Sequence, residues 1–237
     1  MLGGMKNTRI LILTACAAIA TGCSDAGSPS SDDSVGGMVI DASAPLEPQA
    51  RDAILADDLD ALQEAIDAGL SLTANLGGGY TPLHIAANSG QDDIVVYLIE
   101  AGAPVDAVGE DGGTPLMFAA AHGQPSTVTL LVDAGASVTA SDDINTATAL
   151  HYAAFNNQTE SMDLLLAAGA DLEARNRLGE TVLLMTCHEN RTESALFAIE
   201  AGSDITVRRN DGSSSLDLAI SNRMDEVVAA LEAAGAS

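Results

Sequence analysis

A glycine followed by a small or apolar residue returns along this chain at Gly69-Leu70, Gly102-Ala103, Gly135-Ala136, Gly169-Ala170, Gly202-Ser203 and Gly235-Ala236, at intervals of 33, 33, 34, 33 and 33 residues. A second landmark keeps the same register: Thr81-Pro82-Leu83-His84, Thr114-Pro115-Leu116-Met117, Thr148-Ala149-Leu150-His151, Thr181-Val182-Leu183-Leu184 and Ser214-Ser215-Leu216-Asp217. Two landmarks in one register mean that the chain repeats a single supersecondary unit. A unit of that size cannot bury its own apolar face, so the core must come from stacking. Composition points the same way. Hydrophobic residues are 47% of the chain but aromatics only 3%, and there is no Trp. Alanine and leucine must carry the core, which favours closely packed short helices over a sandwich or barrel.

The residues within a unit have physical roles. Thr opens the first helix as a cap for exposed N–H groups, and Pro at the next position supplies a helix-ready φ where no donor is needed. Leu83, Leu116, Leu150, Leu183 and Leu216 are expected to point into the stack, and Ala86, Ala119, Ala153 and Ala219 to let helices approach. The first helix should end at Asp57, Gly90, Gly123, Asn157, Asn190 and Arg223, of which all but Arg223 tolerate a left-handed turn. The second helix carries the apolar pairs Leu98-Ile99, Leu131-Val132, Leu165-Leu166 and Ala198-Ile199. The end units depart from the pattern as caps should: Pro48, Ala50 and Arg51 replace the opening landmark, and Glu232 replaces an apolar residue. The single extra residue falls between Gly135 and Thr148, in the loop Ser141 to Asn145.

These residues resemble the ankyrin repeat, whose signature is T-P-L-H-x-A. The resemblance covers residues 48–237. It implies an all-α ankyrin-repeat solenoid of about six helix-pair units with short hairpin loops. The units are 48–79 as an amino-terminal cap, then 80–112, 113–146, 147–179 and 180–212, then 213–237 as a carboxy-terminal cap. It also implies that His84 and His151 are structural and bond neighbouring backbone. Partners are then expected on one concave face, built from the hairpin tips and the exposed side of the first helices.

The amino terminus reads differently. Lys6, the only lysine, and Arg9 precede an uncharged, mostly apolar run from Ile10 to Thr21, too short to span a membrane and right for a signal peptide. Cys16 and Cys23 both follow small residues, and Cys23 leaves the run a proper length. Residues 1–23 resemble a bacterial lipoprotein signal, which implies acylation of Cys23 and membrane anchoring through that lipid. Ser24 after it implies an outer-membrane lipoprotein facing the periplasm. A cell-surface or secreted protein, and an ordinary cleaved signal with an incidental cysteine, are the alternatives. Residues 24–47, rich in Ser, Gly, Asp and Pro, read as a disordered tether. Cys187 is then the only other cysteine, so no internal disulfide is expected.

Function is expected from the variable positions. The first helices offer Phe118, His122, Tyr152, Phe155, Met185 and His188, with three of the six Phe and Tyr residues among them. Aromatics here read either as interface anchors or as packing between helices. The hairpin tips are polarised: Glu110, Asp111, Asp142 and Asp143 come early, and Arg175, Arg177, Arg208 and Arg209 late. Such a gradient can orient a partner, although charged tips also serve solubility alone. Nine basic residues against 34 acidic ones argue against nucleic-acid binding. No phosphate loop, nucleophile elbow or zinc-protease helix is present, and no metal or cofactor is expected. An enzyme would have to use His122, His188 and Glu189 without a recognisable nucleophile. The reading is therefore a monomeric, non-enzymatic protein-binding module of the bacterial envelope. The alternative is an exported effector binding a host or competitor protein.

Overall fold

A computed structural model describes residues 40–41 and 43–236. The signal segment 1–23 with Cys23, and the tether up to residue 39, lie outside the described residues. Within them, twelve helices follow one another: α1 Leu46–Leu55, α2 Leu59–Asp67, α3 Pro82–Ser89, α4 Asp92–Glu100, α5 Pro115–Ala121, α6 Pro125–Asp133, α7 Ala149–Phe155, α8 Thr159–Ala167, α9 Val182–His188, α10 Thr192–Glu200, α11 Ser215–Ser221 and α12 Asp225–Ala233. They form six pairs, and the described residues contain no strand beyond two isolated bridges, Ser141 to Thr148 and Arg208 to Ser214. The all-α solenoid implied by the repeat is the architecture found. Helix α1 begins two residues inside the segment read as tether, where the Gln49 side chain bonds Asp41 at both backbone N–H and carbonyl, at 2.7 and 2.9 Å.

The first helix of each middle pair is seven or eight residues long, too short to hold together in water unaided. It survives by complete burial. All seven residues of α5 and all seven of α7 are buried. Each is enclosed by the first helices of adjacent units and by its own second helix. Ala86, Ala119, Ala153 and Ala219 are fully inaccessible where these helices meet, so close approach requires their small size. The second helices are half-exposed; α4 buries Ile94, Val95 and Leu98 and leaves Asp93, Val96 and Glu100 outside. At the last unit the enclosure ends, and Ile220, in register with buried Ala87, Ala120, Ala154 and Cys187, is exposed.

Local chemistry sets the helix ends. Asp57, Gly90, Gly123, Asn157, Asn190 and Arg223 all lie at φ between 57° and 71°. Arg223 takes the left-handed turn although its side chain does not favour it, because the register of the stack imposes it. The signature histidines complete the caps. The Thr81 backbone N–H donates to His84 Nδ1 at 3.1 Å, which leaves Nε2 to donate to the Gly113 carbonyl of the next unit at 3.1 Å. His151 repeats this with Thr148 at 3.3 Å and the Glu180 carbonyl at 3.3 Å. Each histidine thus ties its own helix start to the following hairpin.

The hairpin tips are joined by one backbone bond per junction: Glu110 N–H to Gly78 O (3.2 Å), Asp143 to Asp111 (3.0 Å), Arg177 to Asn145 (2.7 Å) and Asn210 to Leu178 (3.3 Å). Donor and acceptor are consecutive residues at 110–111 and 177–178, but 143 and 145 are separated by Ile144. The extra residue of the 34-residue interval is therefore Ile144. Its carbonyl is taken up by Arg177 Nη1 at 3.0 Å. Two residues on, Thr146 sits at φ 53°, where Gly79, Gly112, Gly179 and Gly212 occupy the same tip position at φ 74° to 90°.

Two predictions follow from this architecture. A β-branched residue in the left-handed region is strained by about 1–2 kcal/mol, and glycine gives back part of that gain as unfolded-state entropy. Thr146→Gly is therefore expected to raise stability by about 0.5–1 kcal/mol in urea denaturation; a loss would show that the side chain contributes more than the strain. Burial pushes His84 down to about 4 and His151 in the same direction. Their folded forms refuse a proton that the unfolded chain accepts below about 6.5. Their stabilisation is thus complete above that pH and is lost as pH falls towards 4, for His84 by roughly 3 kcal/mol at full extent. Urea titrations at pH 7 and pH 5 should show that decline, and His84 imidazole resonances should remain those of the neutral ring at pH 5.5.

Candidate partner-binding surface

Several residues expected to meet a partner are inside. Phe118 is 2% exposed, Tyr152 5%, Phe155 1% and Met185 1%. Phe118 lies edge-on to Tyr80, with centroids 5.1 Å apart, and to His84 at 5.8 Å. The Tyr80 hydroxyl donates to Asp111 Oδ2 at 3.0 Å, so Asp111 belongs to the same junction. Tyr152 donates to Asp142 Oδ2 at 2.9 Å, and Asp142 is itself buried, accepting the Ile144 N–H at 3.0 Å inside the expanded tip. The Arg191 guanidinium lies 4.5 Å over the ring of Phe155. These aromatics are the packing between helices rather than exposed anchors. The reason is the one that enclosed α5 and α7: neighbouring units and hairpins leave no free side to the middle of a first helix.

What remains outside or half-exposed is the tips and the ends of most first helices, Glu189 being buried at that position. His122 is exposed, with Nδ1 against the Phe118 carbonyl at 3.2 Å, and Ser89, Asn156 and Asn222 hold the same register in other units. Glu110, Asp143, Arg175, Arg177 and Arg208 are exposed, and Asp111, His188 and Arg209 are half-buried. The acidic and basic tips therefore occur at opposite ends of the row of hairpins, apart from Asp142, which is withdrawn.

The arginines are braced. Arg208 Nη1 bonds the Gly212 carbonyl at 2.9 Å and lies 3.5 Å from Asp217, which is over half-exposed. Arg209 turns inward, its Nε 3.0 Å from Glu180 Oε1 and its Nη1 3.4 Å from Asp211. Glu180 was not anticipated. It occupies a position that reads Tyr80, Gly113, Ala147 and Ser213 elsewhere, and a lone carboxylate in that uncharged column was the available signal. Its side chain is 2% exposed, with His188 Nδ1 at 2.8 Å on Oε1 and Asn176 Nδ2 donating to Oε2 at 2.8 Å. Burial opposes the charge of Glu180, but the bonds from His188 and Asn176 and the neighbouring Arg209 outweigh it and hold the carboxyl below its ordinary range.

His122 and His188 belong to units that are not adjacent. Cys187, next to His188, is buried, and burial pushes its thiol up to about 12, so it supplies no thiolate. Among the described residues, no group of three or more His, Cys, Asp or Glu side chains is placed to hold a metal ion, and no helix is long and apolar enough to cross a membrane. A cleft of about 10 Å³ beside Glu180, Met185, Arg177 and Asn145 has room for about one water. A wider recess of about 310 Å³ lies at the last unit, between Ile205, Arg208, Leu216 and Ala236.

The family model for ankyrin repeats matches residues 51–142, 109–176 and 150–237, in overlapping blocks that span all six helix pairs. A search of curated proteins returned no match.

The Glu180 junction carries a stability prediction. Removing the buried carboxylate leaves Arg209 only the largely exposed Asp211, and breaking such a buried pair costs about 3 kcal/mol. A double-mutant cycle of Glu180→Gln and Arg209→Gln at neutral pH should give a coupling energy of about 2 kcal/mol. Because the folded carboxyl is depressed, that coupling is present above the ordinary Glu range and is lost as pH drops through the folded value. A coupling near zero at neutral pH would mean that solvent already screens the pair.

Proposed function

The chain belongs to the ankyrin-repeat family, and from that premise we propose that it is a non-enzymatic protein-binding module, lipid-anchored through Cys23 in a bacterial envelope and facing the periplasm. One observation carries the binding part. The apolar side chains of the first helices are absorbed by stacking, whereas the ends of those helices and the hairpin tips, which the fold does not need for its core, leave His122, Glu110, Asp143, Arg175 and Arg177 exposed and Asn156 half-exposed. Neighbouring units present them in register, which suits an extended protein surface better than a small molecule. The concave side of the stack is the docking face in this reading, and the contacts are polar and charged, with His122 and His188 among them.

The anchoring part rests on the sequence of residues 1–23, and the tether that follows lets the repeat stack stand off the bilayer. Two or three acyl chains on Cys23 provide the stable attachment that one chain cannot. Display on the cell surface, with a host or competitor protein as partner, uses the same binding face. It differs only in which side of the membrane the stack occupies, and protease treatment of intact cells separates the two.

Crosslinking in the native envelope tests the binding face. His122→Ala with Asn156→Ala, and separately Glu110→Lys with Asp143→Lys, are expected to reduce the recovered partner several-fold without lowering the melting temperature. Substitution of Asp93 and Glu100, on the outer side of α4, should leave recovery unchanged. The opposite pattern moves the docking face to the second helices. Cys23→Ala should release the protein from the membrane fraction; retention without acylation would sink the anchor.

A further inference from the structure

We propose that the hairpin tip bearing Arg175 and Arg177, with Arg208 on the tip beside it, receives a carboxylate-bearing segment of the protein partner. The inference rests on the protein-binding reading above and names the chemistry that one end of that surface recognises.

The chain has nine basic residues against 34 acidic ones. In such an excess of carboxylates an exposed guanidinium should find one nearby. Arg209 does so with Glu180 and Asp211, and Arg208 approaches Asp217 at 3.5 Å. Arg175 and Arg177 are different, and unlike the solitary Arg223, which is also exposed without an ion pair among the described residues, they stand together on one tip. Among the described residues neither forms an ion pair, although both are exposed. Their bonds go to neutral carbonyls: Arg175 Nη1 to Arg208 O at 3.2 Å and Gly179 O at 3.4 Å, and Arg177 Nη1 to Ile144 O at 3.0 Å.

Those bonds matter for recognition. Each uses a single guanidinium nitrogen, and a guanidinium has five N–H donors in a rigid fork. One end of each fork is fixed to the protein backbone and the rest faces outward. The ordering entropy of two long side chains is therefore largely spent on folding before any ligand arrives. Two like charges on one tip repel each other in the unliganded surface, and a carboxylate relieves that repulsion by bidentate pairing.

Net charge narrows the choice of anion. A long polyanion such as nucleic acid would cross the acidic surface on either side and be repelled. A short acidic loop or tail touches only the arginine tip, and repulsion elsewhere, including at Glu110 and Asp143, prevents it from binding in other registers. The acidic tips then set which end of the partner lies where.

The test uses the purified full chain and a phage-displayed random peptide library. Peptides enriched on the wild type should share Asp or Glu residues, and their synthetic versions should bind less well as salt is raised. Affinity should fall on the order of tenfold or more in Arg175→Gln with Arg177→Gln. It should fall by less in Arg175→Lys with Arg177→Lys, which keeps the charge and loses the fork, and not at all in Asp93→Asn with Glu100→Gln on the outer side of α4. Unchanged melting temperatures in all three variants separate lost recognition from lost folding. Enriched peptides without acidic residues, or acidic peptides held equally by the Gln variant, overturn this inference and leave the protein-binding reading standing. If the wild type enriches no peptide, this inference falls, while the protein-binding reading stands or falls by the envelope crosslinking.

Discussion

The enclosure of the first helices is the constraint on which the rest of this molecule depends. A seven-residue helix such as α7 has few internal hydrogen bonds and no stability of its own. It exists because α5, α8 and α9 surround it, and they depend on it in return. Stability in such a stack is a sum of weak units and strong junctions, so the junction chemistry carries unusual weight. The two signature histidines belong to that chemistry. Each accepts from a threonine N–H in its own unit and donates to a carbonyl in the next, so each must be neutral, and burial keeps it so.

The same enclosure decides which residues are free to act. Phe118, Tyr152 and Phe155 are drawn into junctions with Tyr80, Asp142 and Arg191 because the middle of a first helix has no open side. In the proposed binding role, recognition is left to helix ends and tips, where side chains extend beyond the core. There the chain spends its few arginines in two ways. Arg209 neutralises the buried Glu180 and so fastens the tip that leads into the last unit to the start of α9, while Arg175 and Arg177 are exposed and held by backbone carbonyls.

The acidic excess limits what such a surface can bind. Every second helix carries carboxylates and no basic residue, so the outer side of the stack is uniformly negative. Contact between this protein and another acidic surface is favourable only at the arginine tips. In the proposed binding role the polarity of the tips is a specificity device as much as a source of affinity, since wrong registers are penalised by charge.

The period, the landmarks and the identity of the capping residues were legible in the sequence because each reflects chemistry local to a few residues. Thr81 and Ser214 cap whatever lies next to them, and Gly90 or Asn157 takes a left-handed turn without reference to the rest of the chain. Those local rules, repeated at intervals of 33 and 34 residues, determined the fold class and the order of the units. The left-handed Arg223 and the strained Thr146 were decided by the stack, whose register overrides the preference of a single residue. Burial of the aromatics, withdrawal of Asp142 and the pairing of Glu180 with His188 and Arg209 were tertiary outcomes too. Each joins residues from separate helices or hairpin tips, and no periodicity records how closely those parts approach. A repeat pattern states which way a side chain points within its unit; only the neighbouring unit decides whether water remains on that side.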